Sequence, residues 1–349
     1  MKILGGIIMK NFKKVLFIVT IVGITTIASG CGKTESQVAT KANSQEATKY
    51  KYGKLKIQAL GGAVCGAPSY IALEKGFFAE EGLDVELVSG TLDENKTGLA
   101  TGEFVVTNGD FQWFPSIQQG IDLKIIGGLH KGCIKIVVPP NSPIKTVADL
   151  AGKNIGVDEI GGTPMSVASI ALADVGIDPT TGVTWKPYPL DQLVEGVNKG
   201  EVDAFAAWDP YGTFAVDNNN YVTLVDIATD PLFAGKSCCF LYASGKAIEE
   251  NPEKVAAIAR AYEKSTKWIK ENPEETAKIE IEKGYVAAED EGFITKLIES
   301  YDYEFTTTAA KEDISYFVQK LDKTGFLEEG TDPETFANET YYDIFGAKK

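Results

Sequence analysis

The sequence predicts an α/β chain of two lobes, each built on a mainly parallel sheet flanked by helices, with the chain crossing twice between them. Three observations carry this expectation. Short apolar runs of strand character alternate with helical periodicities along most of the chain, the signature of βαβ construction. The 349 residues exceed one small core and suit about two domains. The first folded stretch already reads as strand, glycine loop, helix and strand.

In chain order, Met1–Gly30 has a basic start (Lys10, Lys13, Lys14) and an apolar run Val15–Ile27, too short for a typical membrane span. It reads as a secretion signal, with Met9 as a second candidate start. Ala28-Ser29-Gly30 directly before Cys31 resembles a bacterial lipobox, which implies cleavage there and a lipid on the Cys31 thiol. Residues 31–53, rich in Thr, Ser, Gln, Lys and Ala, form the expected tether.

Lys54–Leu60 alternates as a strand, Gly61–Pro68 is a small-residue loop, and Pro68-Ser69 opens a helix that Gly82 stops. Val85–Val88 is the next strand and Leu92–Thr101 a helix. Glu103–Thr107 is a strand ending in Asn108-Gly109-Asp110, Phe111–Gln119 is helical, and Lys124–Leu129 and Ile134–Val138 are strands. Beyond Pro139-Pro140 come strands at Ile155–Val157, Val183–Pro187, Val202–Ala206 and Val222–Asp226, interleaved with helices from Thr163 and Leu190 and after Trp208. Ser237–Ser244 is a last apolar strand, and helices follow over Pro252–Glu271, Pro273–Gly284, Glu289–Tyr301 and Lys311–Thr324. The expected lobes are 54–137 plus 240–349, and 138–239, with a ligand cleft between them.

The stretch Pro68-x-Tyr70-x-Ala72-x-x-x-Gly76-Phe77-Phe78, then Glu81-Gly82-Leu83-x-Val85, resembles the opening of the nitrate/sulfonate/taurine group of solute-binding proteins, the extracytoplasmic receptors of ABC importers. Asp149-Leu150-Ala151-Gly152-Lys153-Asn154-Ile155-Gly156-Val157 is similar to the phrase that opens their second lobe, and the likeness runs over roughly residues 54–320. The resemblance implies the two-lobed type II periplasmic-binding-protein fold. It also implies hinge closure on a small polar or anionic organic molecule, permease subunits as partners, no enzymatic activity and no cofactor. A monomer on the outer face of the cytoplasmic membrane is expected.

Four loops at strand carboxyl ends are expected to meet in the cleft: Gly62 to Tyr70, with Cys65, Pro68 and Ser69; Asn108, Gly109 and Asp110; Gly161, Gly162, Thr163 and Pro164; and Trp208, Asp209 and Tyr211. Ser69 and Thr163 either cap their helices or bring two helix N-termini to bear on an oxyanion; the resemblance implies that these segments line the site, as they do in the sulfonate-type receptors. Trp208 and Tyr211 offer stacking surfaces, or core. Asp110 and Asp209 either cap neighbouring helices or accept from a ligand that carries donors, which favours an amino-sulfonate, a pyrimidine or another amphoteric small molecule over bare nitrate or sulfate. His130 is either a turn residue with a satisfied bond or a donor at the cleft floor.

Charge narrows the partners. The net charge of −15 becomes −19 once the four lysines of the first 30 residues are gone, which argues against nucleic acid and anionic membrane surfaces. Arg260 is the one arginine, inside a helix, so no forked guanidinium clamp is at hand for an anion. Cys65, Cys133, Cys238 and Cys239 contain no C-x2-C pair and so no zinc-module spacing. They stay open between a disulfide from Cys133 to Cys238 or Cys239 and buried thiols; strand alternation sends at most one of Cys238 and Cys239 into the site. Ser237-Cys238-Cys239-Phe240-Leu241 also resembles, in part, the Cys-rich segment of yeast pyrimidine-precursor synthases. That gives an enzyme alternative, and a ligand-sensing lipoprotein is another.

Overall fold

The computed structural model describes residues 50–346. The expected signal segment 1–30, Cys31 and most of the tether lie outside the described residues. Strands are β1 (Lys54–Gln58), β2 (Asp84–Val88), β3 (Phe104–Gly109), β4 (Leu123–Lys131), β5 (Ile134–Val138), β6 (Asn154–Val157), β7 (Thr184–Pro187), β8 (Ala204–Trp208), β9 (Val222–Asp226), β10 (Cys239–Ser244) and β11 (Asp302–Thr306). They form two sheets, ordered β11-β4-β10-β3-β1-β2 and β7-β6-β8-β5-β9.

β1 pairs parallel with β2 and β3, and β6 with β7 and β8. β10 runs antiparallel to β3 and β4, and β5 antiparallel to β8 and β9. The mainly parallel expectation therefore holds for strand direction, and the reversed strands have a simple cause. β5 and β10 are the strands by which the chain enters one sheet from the other, so each arrives against the local direction; β11, at the far edge beside β4, is the third reversal. The first passage between sheets occupies Gly132 and Cys133, a few residues before the Val137/Val138 position expected from sequence. Ile134–Val137 alternates as well as any strand, and only its pairing with β8 shows which sheet owns it. The chain is back in the first sheet at Cys239, where β10 begins.

The helices are α1 (Ala67–Glu74), α2 (Phe77–Glu80), α3 (Leu92–Thr101), α4 (Phe114–Gln118), α5 (Thr163–Asp174), α6 (Leu193–Asn198), α7 (Tyr211–Asn219), α8 (Gly245–Glu250), α9 (Pro252–Glu271), α10 (Pro273–Glu282), α11 (Glu291–Ser300), α12 (Thr308–Leu321) and α13 (Pro333–Thr340). The helix expected from Pro68 to Gly82 is two, because Gly76 adopts φ 77° and breaks it. α3 starts on a capping box: Thr91 N donates to Glu94 Oε2 at 2.8 Å and Glu94 N to Thr91 Oγ1 at 3.3 Å. α9 has Pro at its first position, and Asn251 Oδ1 accepts from Lys254 N at 2.9 Å. Its apolar face, Val255, Ile258, Tyr262 and Ile269, is fully buried, each side chain contributing about 2 kcal/mol. β11 and α13 were not read from sequence. β11 is a five-residue edge strand whose only ladder is with β4.

The loop after β1 turns so tightly that a Cβ on Gly66 would sit 2.3 Å from the Leu60 carbonyl oxygen. Because that atom is backbone it cannot move aside. Gly66→Ala is therefore expected to cost about 2 kcal/mol or more, read as a lowered midpoint in urea denaturation.

Candidate functional site

The carboxyl ends of β1, β2 and β3 in one sheet and of β6 and β8 in the other face a shared cavity of about 210 Å³, where ligands of open α/β sheets are found. The first sheet contributes Gln58 to Gly61, Ala63 and Cys65, Ser89 and Gly90, Asn95 from α3, and Gln112 from the 3-10 turn after β3. The second contributes Glu159 after β6 and Trp208 at the end of β8. The volume is below the roughly 300–1,000 Å³ of drug-sized sites, so the cavity suits a small solute.

Its lining carries unpaired acceptors. Among the described residues no lysine or arginine lines it, and Arg260 on α9 donates its Nε to Glu81 Oε2 at 2.8 Å. Asn95 donates its Nδ2 to the Gly90 carbonyl at 3.1 Å, which fixes the amide and leaves its buried Oδ1 without a partner. Gln112 Oε1 and Asp158 Oδ1 are likewise buried and unpaired. Burial pushes the Asp158 carboxyl up to about 6 and raises Glu159 as well. Unpaired buried acceptors each cost about 1–3 kcal/mol, a cost that a donor-bearing ligand removes.

Of the residues expected from sequence, Cys65 and Trp208 line this cavity, and Trp208 is half-buried there. Gly161 lines a neighbouring cavity of about 420 Å³ that shares Gln112, and Tyr211 lines another of about 640 Å³ formed with α6, α7 and the segment before α11. Gly62 pairs by its backbone with Tyr285 and Ala287. Ser69 Oγ bonds Tyr262 OH at 2.8 Å, the Pro68 carbonyl accepts from Ser265 Oγ at 2.8 Å, and Tyr70 stacks on Tyr285 at 3.9 Å. These three fasten α1 to α9 and its surroundings. Asn108 Nδ2 donates to the Cys65 carbonyl at 2.7 Å, and a Cβ on Gly109 would meet Trp113 Nε1 at 2.3 Å. Gln58, Ser89, Asn95, Gln112 and Glu159 carried no sequence signal; polar residues at strand ends are too common for pattern reading to select them.

Asp209 is wholly buried and its oxygens are occupied. Thr213 N and Oγ1 donate to Oδ1 at 2.9 and 2.7 Å, and Lys135 Nζ and Tyr301 OH donate to Oδ2 at 3.2 and 3.1 Å. Tyr301 follows α11 and Asp209 follows β8, so the bond links the two sheets' sides of the cleft. Val64 N donating to the Asp209 carbonyl at 3.3 Å is a second link. A third joins Thr163 Oγ1, at the start of α5, to the Asp110 carboxylate. Gly162, not Thr163, occupies the N-cap of α5, with no side-chain bond to the helix. Asp110 does cap, accepting from Gln112 N at 2.9 Å. The opposed hydroxyls expected to trap an oxyanion are thus both engaged within the protein.

His130 is not in a turn but inside β4, 1% exposed, with Nδ1 3.4 Å from Cys238 Sγ. The described cysteines are free thiols. Cys133 holds φ 145°, a region L-residues rarely adopt, which typically costs about 1–3 kcal/mol. Cys133 Sγ lies 3.3 Å from Cys238 Sγ, and the Cys133 and Cys239 thiols are also in contact. Both Cys238 and Cys239 therefore reach Cys133, against the expected alternation, because Cys238 precedes the strand and the register shifts just after Cys239.

A family model described as "NMT1/THI5 like" matches residues 66–276. The chain belongs to this family. A putative aliphatic sulfonates-binding protein of Bacillus subtilis is 27% identical over 219 residues, covering 60% of this chain and 64% of that protein. The nitrate/nitrite binding protein NrtA of Nostoc is 26% identical over 279 residues, covering 72% and 62%. The chain thus spans a little under two thirds of these relatives. The solved periplasmic aliphatic sulphonate binding protein SsuA of Escherichia coli matches with TM-score 0.65 at 19% identity, over 77% of this chain and 85% of that one. The periplasmic nitrate-binding protein NrtA of Synechocystis matches with TM-score 0.67 at 18% identity, over 83% and 86%. The fold is that of periplasmic binding proteins, as the sequence predicted.

Asp110 supplies a pH test. Burial, partly opposed by the bonds from Thr163 and Gln112, lifts its carboxyl to about 7, above an ordinary value of 3.8. The folded state therefore holds this proton more tightly than the unfolded one, and stability falls as pH rises from about 4 to 7. The gap corresponds to at most about 4 kcal/mol. In chemical denaturation, Asp110→Asn is expected to flatten the part of the pH–stability curve between about pH 4 and 7; an unchanged slope would refute the assignment.

Proposed function

We propose that this protein is an extracytoplasmic solute-binding receptor of an ABC importer, closing its two lobes over a small polar solute and presenting the closed form to the permease. The enclosed cleft between two sheets joined by two passages of the chain carries this reading, and the relatives' names as sulfonate- and nitrate-binding proteins support the class. Within that class the lining favours a solute that donates hydrogen bonds. Nitrate and simple sulfonates offer acceptors only, and here they would face Asn95 Oδ1, Gln112 Oε1 and the Glu159 carboxyl with no cationic side chain in the lining. An amino-sulfonate supplies donors through its ammonium, and a pyrimidine-type heterocycle supplies them through its ring substituents and stacks on Trp208. The receptor acts as a monomer, and a lipid on Cys31 holds it at the outer face of the membrane.

Calorimetry across a panel of sulfonates, nitrate, amines and pyrimidines tests the reading, with small-angle scattering as a second readout. A donor-bearing solute is expected to bind and to shrink the radius of gyration. Gln112→Leu is expected to weaken it about tenfold, the worth of one hydrogen bond, and Trp208→Ala by more. Tight nitrate binding would overturn the ligand class. Absence of any ligand-dependent compaction would overturn the receptor reading. For the anchor, intact mass of the membrane-extracted protein is expected to show loss of residues 1–30 and addition of acyl chains, both abolished by Cys31→Ser.

A further inference from the structure

At the floor of the cleft, four ligand-bearing side chains from four separate segments come together. Cys65 lies in the turn after β1, His130 near the end of β4, Cys133 in the passage between the sheets, and Cys239 at the start of β10. Their donor atoms all lie within 4.8 Å of one another and all four residues are buried. His130 and Cys239 are direct partners in the β4–β10 ladder, so their side chains share a face. His130 Nε2 is buried with no hydrogen-bond partner, an uncommon condition for a ring nitrogen.

We propose that Cys65, His130, Cys133 and Cys239 form a buried binding site for one thiolate-seeking divalent ion, with Zn²⁺ the natural fit. Three sulfurs and one imidazole nitrogen are a recognised tetrahedral zinc set, with Zn–S near 2.3 Å and Zn–N near 2.0–2.1 Å. Ligand atoms in that geometry stand about 3.5–4 Å apart, so the present spread closes with small side-chain adjustments. On binding, each of the three thiols gives its proton to solvent. The imidazole binds through neutral Nε2, keeping its proton on Nδ1, where Cys238 Sγ at 3.4 Å accepts it. Cys238 is thus a positioning residue; its thiol in turn donates to the Gly132 carbonyl at 2.8 Å. An ion here would tie both chain passages to the first cleft loop and fix the end of the cavity where Cys65 emerges. The spacing rules for zinc modules miss the set because no two ligands are three residues apart except His130 and Cys133. The proposal is independent of which solute fills the cleft.

The test is titration of the full chain, reduced, stripped with chelator and kept anaerobic, with Co²⁺ as the spectroscopic probe and then Zn²⁺. One Co²⁺ per chain is expected, with the strong visible bands and thiolate-to-cobalt charge transfer of a tetrahedral sulfur site, both erased by one equivalent of Zn²⁺. Cys133→Ser and Cys239→Ser are each expected to lower affinity at least about tenfold and to reduce the charge-transfer intensity. Cys238→Ser keeps the one-to-one stoichiometry and the three-thiolate intensity, and Cys31→Ser changes nothing. Wild-type chain that is folded by near-ultraviolet circular dichroism yet takes up no Co²⁺ would overturn the proposal without recourse to any variant. So would a weak octahedral cobalt spectrum, or a native Cys133–Cys238 disulfide in freshly isolated protein.

Discussion

The antiparallel pairing of β4 with β10 is the constraint on which the rest of the molecule depends. The chain leaves the first sheet at the end of β4 and re-enters it at the start of β10. Adjacent strands mean that both passages lie side by side, Cys238 N bonding the His130 carbonyl at 3.1 Å across them. Two neighbouring connections allow rotation about one line and resist other displacements, which is what a hinge requires. The same adjacency gathers three cysteines and the single histidine into one buried cluster, although they are spread over more than a hundred residues of sequence.

A second constraint comes from buried charge. Asp209 sits just after β8 with no exposure, and it is tolerable there because the Lys135 ammonium from β5 lies 3.2 Å away, an ammonium it shares with Asp226 of β9 at 3.3 Å. Breaking such a pair would leave an uncompensated buried ion, which is far more costly than never having built it. Tyr301 extends this network to the other side of the cleft. In the cavity lining, Asn95 Oδ1 and Gln112 Oε1 are left unpaired.

Much of this was legible in sequence, and the limits of legibility are physical. Strands β1 to β10 and the long helices announce themselves because apolar spacing and Pro, Gly and Asn punctuation are local signals; α9 was bounded residue for residue by Pro252 and Glu271. β11 was missed because five residues at a sheet edge are defined by their partner, β4. Trp208 and Cys65, read from βα loop positions, line the cavity. Ser69, Tyr70 and Asp209 stood at equally suggestive loop positions, yet Tyr262, Tyr285, Lys135 and Tyr301 engage them. Those partners lie up to about two hundred residues away, and no local pattern encodes them.

By itself the sequence determined the α/β class, the scarcity of cationic clamps and the family likeness. Each of these follows from composition or short-range spacing, which act before the chain folds. The tertiary structure alone decided which sheet owns Ile134–Val138, which polar atoms were left unpaired in the cleft, and that Cys65, His130, Cys133 and Cys239 meet. These are outcomes of long-range pairing: an acceptor is unpaired, or four ligands converge, only relative to everything else that packs around them.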